Sequence, residues 1–378
     1  MIIIALIASL ISIAYMIFAI SQVLAFRTPR KVAALSIVPA TILKPVCGLQ
    51  PDLYENLRSF CDQDYACYQV VFGIRSATDP AVELIKRLIA ALPEQDLSLV
   101  VDEQIFGSNL KVSNLINMQH AAKYEFLVIA DSDMRVGRDY LAAVMALFQN
   151  PVVGVVTCLY KGSPAKKGLP SLLGAMFIND WFAPAVLVAL RLQPLNYCFG
   201  ATMAVRKDAL AAIGGFAALA YQLADDHMLG KLVAAKGYQV ELCPYIVENR
   251  VWEPDLKALL LHELRWSRTI RAMQPLGHAF SFLTNPVAIS LLFILVAPEK
   301  TWGYYLLSVS VLLRVLLHYS IFYSFHISGL ARPWLTPVRD VLCFAVWAAS
   351  FFGRNVRWGE HDFSVQSGGY MSKKGMPK

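Results

Sequence analysis

Glu125–Arg135 reads EFLVIADSDMR. Phe126–Ala130 is an apolar run, rich in β-branched residues, that stops abruptly at charge, which is the pattern of a buried strand. Asp131 and Asp133 follow, one residue apart. Carboxylates at i and i+2 just past a strand both reach the crevice outside the carboxyl end of an open α/β sheet, where such sheets bind ligands. Carboxylates so close repel unless a cation sits between them. A hard divalent ion, Mg2+ or Mn2+, held jointly with substrate phosphates fits. Asp-Ser-Asp is also an ordinary turn after a strand, so the metal reading depends on the rest of the chain.

Upstream, strands and helices alternate. Ala40–Leu43 reads as a short strand, Asp52–Cys61 as a helix and Gln69–Arg75 as a second strand. Ala81–Leu92 reads as a helix opened by Asp79-Pro80, an acidic cap followed by proline. Leu97–Val101 is a third strand, Val112–Ala122 a helix and Phe126–Ala130 a fourth strand. Repeated β-α units with short connections predict an α/β fold, with a mostly parallel sheet covered on both faces. Neither G-x-G-x-x-G nor G-x-x-x-x-G-K-[ST] occurs, which excludes the dinucleotide and P-loop readings. Asp79 falls at the sheet edge where Asp131 lies. Asp225-Asp226 opens a helix in AYQLADDHMLGKLV. The plainer reading of Asp79 is a helix cap, and that of Asp225-Asp226 is complementarity to a helix dipole.

The chain has 378 residues, of which 57% are hydrophobic and only 16% charged, and its mean hydropathy is +0.49. Soluble domains carry about 25% charged residues, so part of this chain belongs in lipid. The net charge is +7. Without a nucleic-acid-like Lys/Arg run, the excess reads as positive charge beside a membrane. Seven cysteines without C-x-x-C spacing read as reduced thiols in a cytoplasmic domain.

Ile2–Phe26 has no charge and is long enough to cross ~30 Å of hydrocarbon. Arg27, Arg30 and Lys31 follow it, so the positive-inside rule puts the next domain in the cytoplasm. The expected organisation is a transmembrane helix at 1–26, an α/β domain at 40–250, an interfacial amphipathic helix at 254–275, a transmembrane region at 280–352 and a basic tail at 353–378. Leu172–Leu192 is apolar, yet Asn179, Asp180 and Pro184 interrupt it. It reads as an interfacial helix shaping the entry of a lipid, because a central charge costs ~3 kcal/mol on insertion scales. Arg265, Arg268 and Arg271 share a face of Pro254–Met273. For Arg268 and Arg271 the plainer role is touching anionic lipid. Phe280–Ala297 and Trp302–Ile327 read as a helical hairpin. Trp334–Phe352 reads as a third span or as a re-entrant segment. Three spans would leave the tail outside, whereas Arg354, Arg357, Lys373 and Lys374 argue for inside.

The series Asp79, Asp131-Ser132-Asp133, Asp225-Asp226 and His262-Glu263-Leu264-Arg265-Trp266 resembles the D, D-x-D, D, Q-x-x-R-W pattern of lipid-directed family 2-type glycosyltransferases, above all the ceramide glucosyltransferase family. Lys44–Gly48 matches its Lys-Pro-x-x-Gly, Thr78-Asp79-Pro80 its Asp-Asp-Pro and Gly107–Lys111 its Gly-x-Asn-x-Lys. Arg206-Lys207-Asp208 and Gly214-Gly215 match a further element. SFCDQDY, KVSNLINM, VIADSDMRV, VTCLY, CFGAT and HELRWSRTIRA resemble the bacterial hopanoid-biosynthesis branch. The resemblance covers roughly 40–282. Asp133 stands where ceramide enzymes usually carry a non-acidic residue, and His262 replaces the usual Gln or Arg.

The resemblance implies a GT-A (nucleotide-diphospho-sugar transferase) fold and a metal-dependent hexosyltransferase in the bacterial inner membrane, its catalytic domain facing the cytoplasm. The donor would be a UDP-sugar and the acceptor a membrane lipid; no nucleic acid is involved. Asp131 and Asp133 would hold the metal. Lys44, Asp79, Lys111, Asp131 and His262 would bind the donor. Asp226 would be the base of an inverting displacement, with Asp225, Arg265 and Trp266 beside it. The hopanoid branch implies UDP-N-acetylglucosamine and a polyol such as bacteriohopanetetrol; the alternative is UDP-glucose and ceramide. A processive polysaccharide synthase would need more spans. A non-enzymatic membrane protein would place acidic residues inside its spans, where only Asp340 is found, near a segment end.

Overall fold

The computed structural model describes residues 2–26, 38–329, 331–353, 355–358, 361–365 and 367–373. They fall into two compact units. The α/β unit holds 38–166, 195–252 and 369–373, and the helical unit the remainder. Arg27, Arg30, Lys31, Arg354 and Lys374, on which the sidedness reading leans, lie outside the described residues.

In the α/β unit, β1 (Ala40–Pro45), β2 (Tyr68–Ile74), β3 (Leu97–Val101), β4 (Phe126–Ile129), β5 (Met134–Arg135), β6 (Val153–Pro164), β7 (Met203–Arg206) and β8 (Gln239–Val251) form one sheet in the order 3-2-1-4-7-6-8-5. β1 to β4 are parallel, β7 is antiparallel to both β4 and β6, and β6 and β8 are parallel again. Side chains alternate across a strand, so each strand feeds two cores. Ile42, Val70, Phe72 and Val128 enter the one that contains Phe60, Ile85 and Tyr140. Leu43, Val71, Leu127 and Ile129 enter the other, with Leu115, Val205 and Leu229.

The parallel half agrees with the sequence reading to within a residue or two. The helix expected at Val112–Ala122 instead runs Leu110–Gln119, because the Asn109 side chain accepts from Val112 N and caps it. β5 to β8 have no counterpart in the sequence reading. β7 has four residues, and the alternation of β8 breaks at Pro244, where the register with β6 slips between Cys158 and Leu159.

In the helical unit, Ile2–Ala25 and Trp302–Ser324 are long and apolar enough to cross a membrane, and so is Leu169–Leu192. The last is one helix that continues through a π-turn at Ile178–Phe182 and is largely buried inside the unit. This corrects the expectation of an apolar face laid in lipid. Asp180 is not without a partner: its Oδ2 meets His318 Nδ1 at 2.8 Å. Both ends of this helix still return to the same sheet, since β6 before it pairs with β7 after it. Leu195, three residues beyond the helix, already packs against the second core, and three residues span at most ~11 Å, short of the ~30 Å needed to recross lipid.

The expected hairpin forms, with Ser290 Oγ 2.9 Å from Ser310 Oγ across it, but its first arm is broken. Pro275–Thr284 and Pro286–Val296 meet at 75°, so the first run is a broken segment. Pro286 opens the second piece, which at ~1.5 Å per residue is too short to cross alone. Thr336–Ser350 carries buried Arg339 and Asp340, and Asp340 Oδ2 pairs with Arg314 Nε at 2.6 Å. Arg268 and Arg271 sit on Leu256–Met273, a helix capped by Asp255. Their guanidiniums are engaged by backbone carbonyls. Arg268 donates to Phe352 O and Asn355 O, and Arg271 to Ser350 O and Gly353 O. Of these, Ser350 O is a carbonyl that the end of Thr336–Ser350 leaves open, and the others lie in the chain just past it.

Candidate active site

The strand order reverses between β1 and β4, because β1 continues outward to β2 and β3 while β4 continues to β7. A crevice opens at the carboxyl ends of such a pair. Lys44 closes β1 and Asp131 follows β4. Lys44 is fully buried and its Nζ donates to the Asp131 backbone O at 2.6 Å, lying 3.7 Å from the centre of the Phe60 ring. Burial pulls Lys44 down to about 7 against the attraction of Asp131 and Asp133. Its amine donates in either protonation state. Lys44, expected among the donor-binding residues, thus also braces the main chain of the acidic turn.

Lys111, on the helix capped by Asn109, joins two acidic motifs. Its Nζ is 2.7 Å from Asp131 Oδ1 and 3.1 Å from Asp225 Oδ2. Burial alone would lower Lys111, but Asp131, Asp225 and Asp226 outweigh it and hold the ammonium charged. Asp225 is only 5% exposed and also receives Asn109 Nδ2 at 3.5 Å. Asp226 is placed differently. Gly200 N donates to its Oδ2 at 2.9 Å, and His227 N to its Oδ1 at 2.7 Å. Burial and the Asp225 charge push Asp226 up to about 6, into the range useful for a base.

Gly200 also takes Asp131 N on its carbonyl, at 3.2 Å. A Cβ at Gly200 would lie 2.5 Å from Asp131 Oδ2 and 3.6 Å from Asp226 Oδ2. The two acidic motifs thus close on a residue where any Cβ would displace the Asp131 carboxylate, a role the sequence reading missed although it quoted CFGAT. Tyr160 was missed too. Its phenol is pushed well up by burial and by the nearby Asp226, Asp133 and Asp131.

Asp133 is raised by burial and by Asp131. Its Oδ2 accepts from Asn249 Nδ2 at 2.9 Å, while its Oδ1 is buried without a partner. Among the described residues no three His, Cys, Asp or Glu side chains are grouped to hold an ion. Asp131 and Asp133 nonetheless fit Mg2+ or Mn2+ as a pair of hard oxygen donors, one oxygen unsatisfied, with substrate phosphates completing the shell.

Asp79 acts first as a clasp. Its Oδ1 accepts from Ala81 N at 2.9 Å and its Oδ2 from Gly48 N at 2.8 Å, tying the turn after β1 to the helix after β2. His262, Arg265 and Trp266 belong to the helical unit. There His262 Nδ1 meets Glu253 Oε1 at 2.6 Å, and the Trp266 ring packs on Phe177 and edge-on to His262. His262 therefore orients its helix through Glu253.

A mostly parallel sheet with this reversal, carrying paired carboxylates and a lysine at the β1–β4 crevice, defines a GT-A-like nucleotide-sugar transferase fold accompanied by apolar helices. The structure is similar to mannosyltransferase PcManGT from Pyrobaculum calidifontis, solved in complex with GDP-Man and Mn2+. The TM-score is 0.58 at 18% identity, over 91% of this chain and 99% of that one; at that identity the likeness shows the fold. The chain belongs to glycosyl transferase family 21, whose model matches residues 4–371. It is 25% identical over 254 residues to ceramide glucosyltransferase 3 of Caenorhabditis elegans, covering 66% of this chain and 54% of that protein. It is 33% identical over 98 residues to ceramide glucosyltransferase of Komagataella phaffii, covering 25% of this chain and 19% of that one. The chain thus spans about half the length of the nematode relative and less of the yeast one.

Proposed function

We propose that the protein is an inverting glycosyltransferase that moves N-acetylglucosamine from its UDP donor to a hydroxyl of a membrane lipid, a hopanoid polyol such as bacteriohopanetetrol. The observation that carries the reaction type is the cluster of Lys111, Asp131, Asp225 and Asp226 at the β1–β4 crevice. The hopanoid acceptor rests on the motif resemblance. A second reading, glucose from UDP-glucose to ceramide, is favoured by the names of the relatives.

Asp226 takes the proton from the acceptor hydroxyl. That oxygen attacks the anomeric carbon, the bond from that carbon to the diphosphate breaks, and UDP leaves. A divalent ion at Asp131 and Asp133 would supply Lewis-acid neutralisation of the diphosphate. Lys111 brings a second positive charge there, and Arg265 is the candidate for a third. Asp225 is buried and paired with Lys111, so it is assigned to holding that ammonium rather than to the nucleophilic role of a double displacement. Asp79 is assigned to the uracil or ribose through lone pairs left beside its two backbone bonds. Trp266 keeps the catalytic assignment that the motif resemblance implies. The α/β unit is placed in the cytoplasm, at the inner membrane of a bacterium.

The test pairs both donors with both lipids on detergent-purified protein and reads UDP release. Release from UDP-N-acetylglucosamine only when bacteriohopanetetrol is present is expected. Release with UDP-glucose and ceramide alone would move the assignment to the second reading. Asp131→Asn should abolish transfer and weaken Mn2+-dependent UDP binding. Full activity in EDTA would end the metal assignment.

A further inference from the structure

Asn249 lies on β8 opposite Met134 of β5, in the strand pair beside the acidic turn. It is 7% exposed, and its amide donates to Asp133 Oδ2 at 2.9 Å. The next residue fastens the turn by its backbone, since Arg250 N donates to Asp133 O at 2.8 Å. The Arg250 guanidinium is itself locked, to Asp52 Oδ2 at 2.7 Å and to Glu248 Oε1 at 3.0 Å. Asp133 is therefore held through its carbonyl and one carboxylate oxygen, and its other oxygen, Oδ1, is buried and unpartnered.

We propose that Asn249 is a positioning residue that presents Asp133 Oδ1 to a divalent cation; the inference rests on the metal reading above. A carboxylate free to turn about its Cβ–Cγ bond loses rotational freedom on binding an ion, and a hydrogen bond to one oxygen removes that loss beforehand. The donor has to be neutral. A lysine or arginine at this place would cancel the charge the cation needs, as Lys111 partly does at Asp131. An amide orients the carboxylate and leaves its charge intact. The sequence motif reaches Asp131 and Asp133 but not Asn249, which comes from a strand 116 positions further on.

The test reads metal affinity without turnover. Free Mn2+ is measured by electron paramagnetic resonance as the full-length protein is titrated in detergent with saturating UDP. Asn249→Ala should weaken Mn2+ binding about 10- to 100-fold, the usual cost of losing a partner that orients a metal ligand. Asn249→Leu, which keeps the volume and loses the donor, should weaken it similarly. In both, stabilisation of the thermal midpoint by Mn2+ should shrink while the metal-free midpoint moves less. Wild-type Mn2+ affinity in either variant overturns the proposal. If the unaltered protein with UDP binds no Mn2+, the metal reading falls and this inference falls with it, a result distinct from an unaltered variant.

Discussion

Acidification should switch the enzyme off through Asp226. Burial and Asp225 push its carboxyl up to about 6 from an ordinary 3.8, against the pull of Lys111 and of the His227 N–H. Such a group is almost fully ionised at about pH 8 and about one-tenth ionised at about pH 5. At limiting donor and saturating lipid, kcat/KM should be flat near neutrality and fall about tenfold per unit below about pH 6. Asp226→Asn keeps the shape and removes the proton acceptor. Its rate should drop by about 10² or more, its residual activity should lose this acid limb, and UDP binding should stay near that of the unaltered protein. Stability carries the same signature. The folded carboxyl binds its proton more tightly than the unfolded one. Between about pH 4 and about pH 6 the unfolded chain therefore holds fewer protons, and stability falls as pH rises. Asp226→Asn should flatten that slope. The assay is UDP release across the range, with the unfolding midpoint measured in parallel. An acid limb that survives in Asp226→Asn would show that another group is the base. A product that keeps the donor's anomeric configuration would remove the single displacement altogether.

Gly200→Ala should lower turnover and Mn2+-dependent UDP binding together, by about 10², because the new Cβ must push Asp131 Oδ2 from 2.5 Å to an ordinary contact; wild-type values in both would refute the role given to that glycine. Single cysteines at Lys166 and Gln193 should both be protected from a thiol reagent confined to the periplasm, since the strands flanking the helix between them pair in one sheet. Labelling of one alone would mean that the helix crosses. Asp340→Asn should cost about 3–5 kcal/mol of stability in detergent by stranding the buried Arg314. Replacing both partners with apolar residues should recover most of that loss, and a destabilisation equal to that of the single variant would show that the pair is not the cause.

The first half of the α/β unit is legible because β1, β2 and β4 are apolar runs buried on both faces and its first helices are amphipathic, so period and punctuation coincide. Leu97–Val101 falls on the expected residues, and Phe126–Ala130 overruns β4 by one. The second half is not legible because its strands answer to partners rather than to their own pattern. β7 is four residues held between β4 and β6, and β8 bulges at its proline. At the site, spacing points to Asp131, Asp133 and Asp226, because a carboxylate after a strand or at a helix start shows locally. Gly200 and Asn249 act across the sheet, where no spacing reports them. The helical segments fail for a similar reason. Asp180 reads as an unpaired charge until His318 stands beside it, and Arg268 and Arg271 read as lipid-facing until the carbonyls they hold are in view.

Lys44 grips a main-chain oxygen of the acidic turn. Every residue type offers that oxygen, so this hold on the turn does not depend on which side chains it displays. Exchanging Asp131 or Asp133 would give up the side-chain bonds to Lys111 or Asn249 and leave the Lys44 hold in place, whereas losing Lys44 loosens the main chain with both acids intact. Such a socket separates what is held from what holds it. A lineage built on it can trade the acids of the turn one at a time while that hold persists.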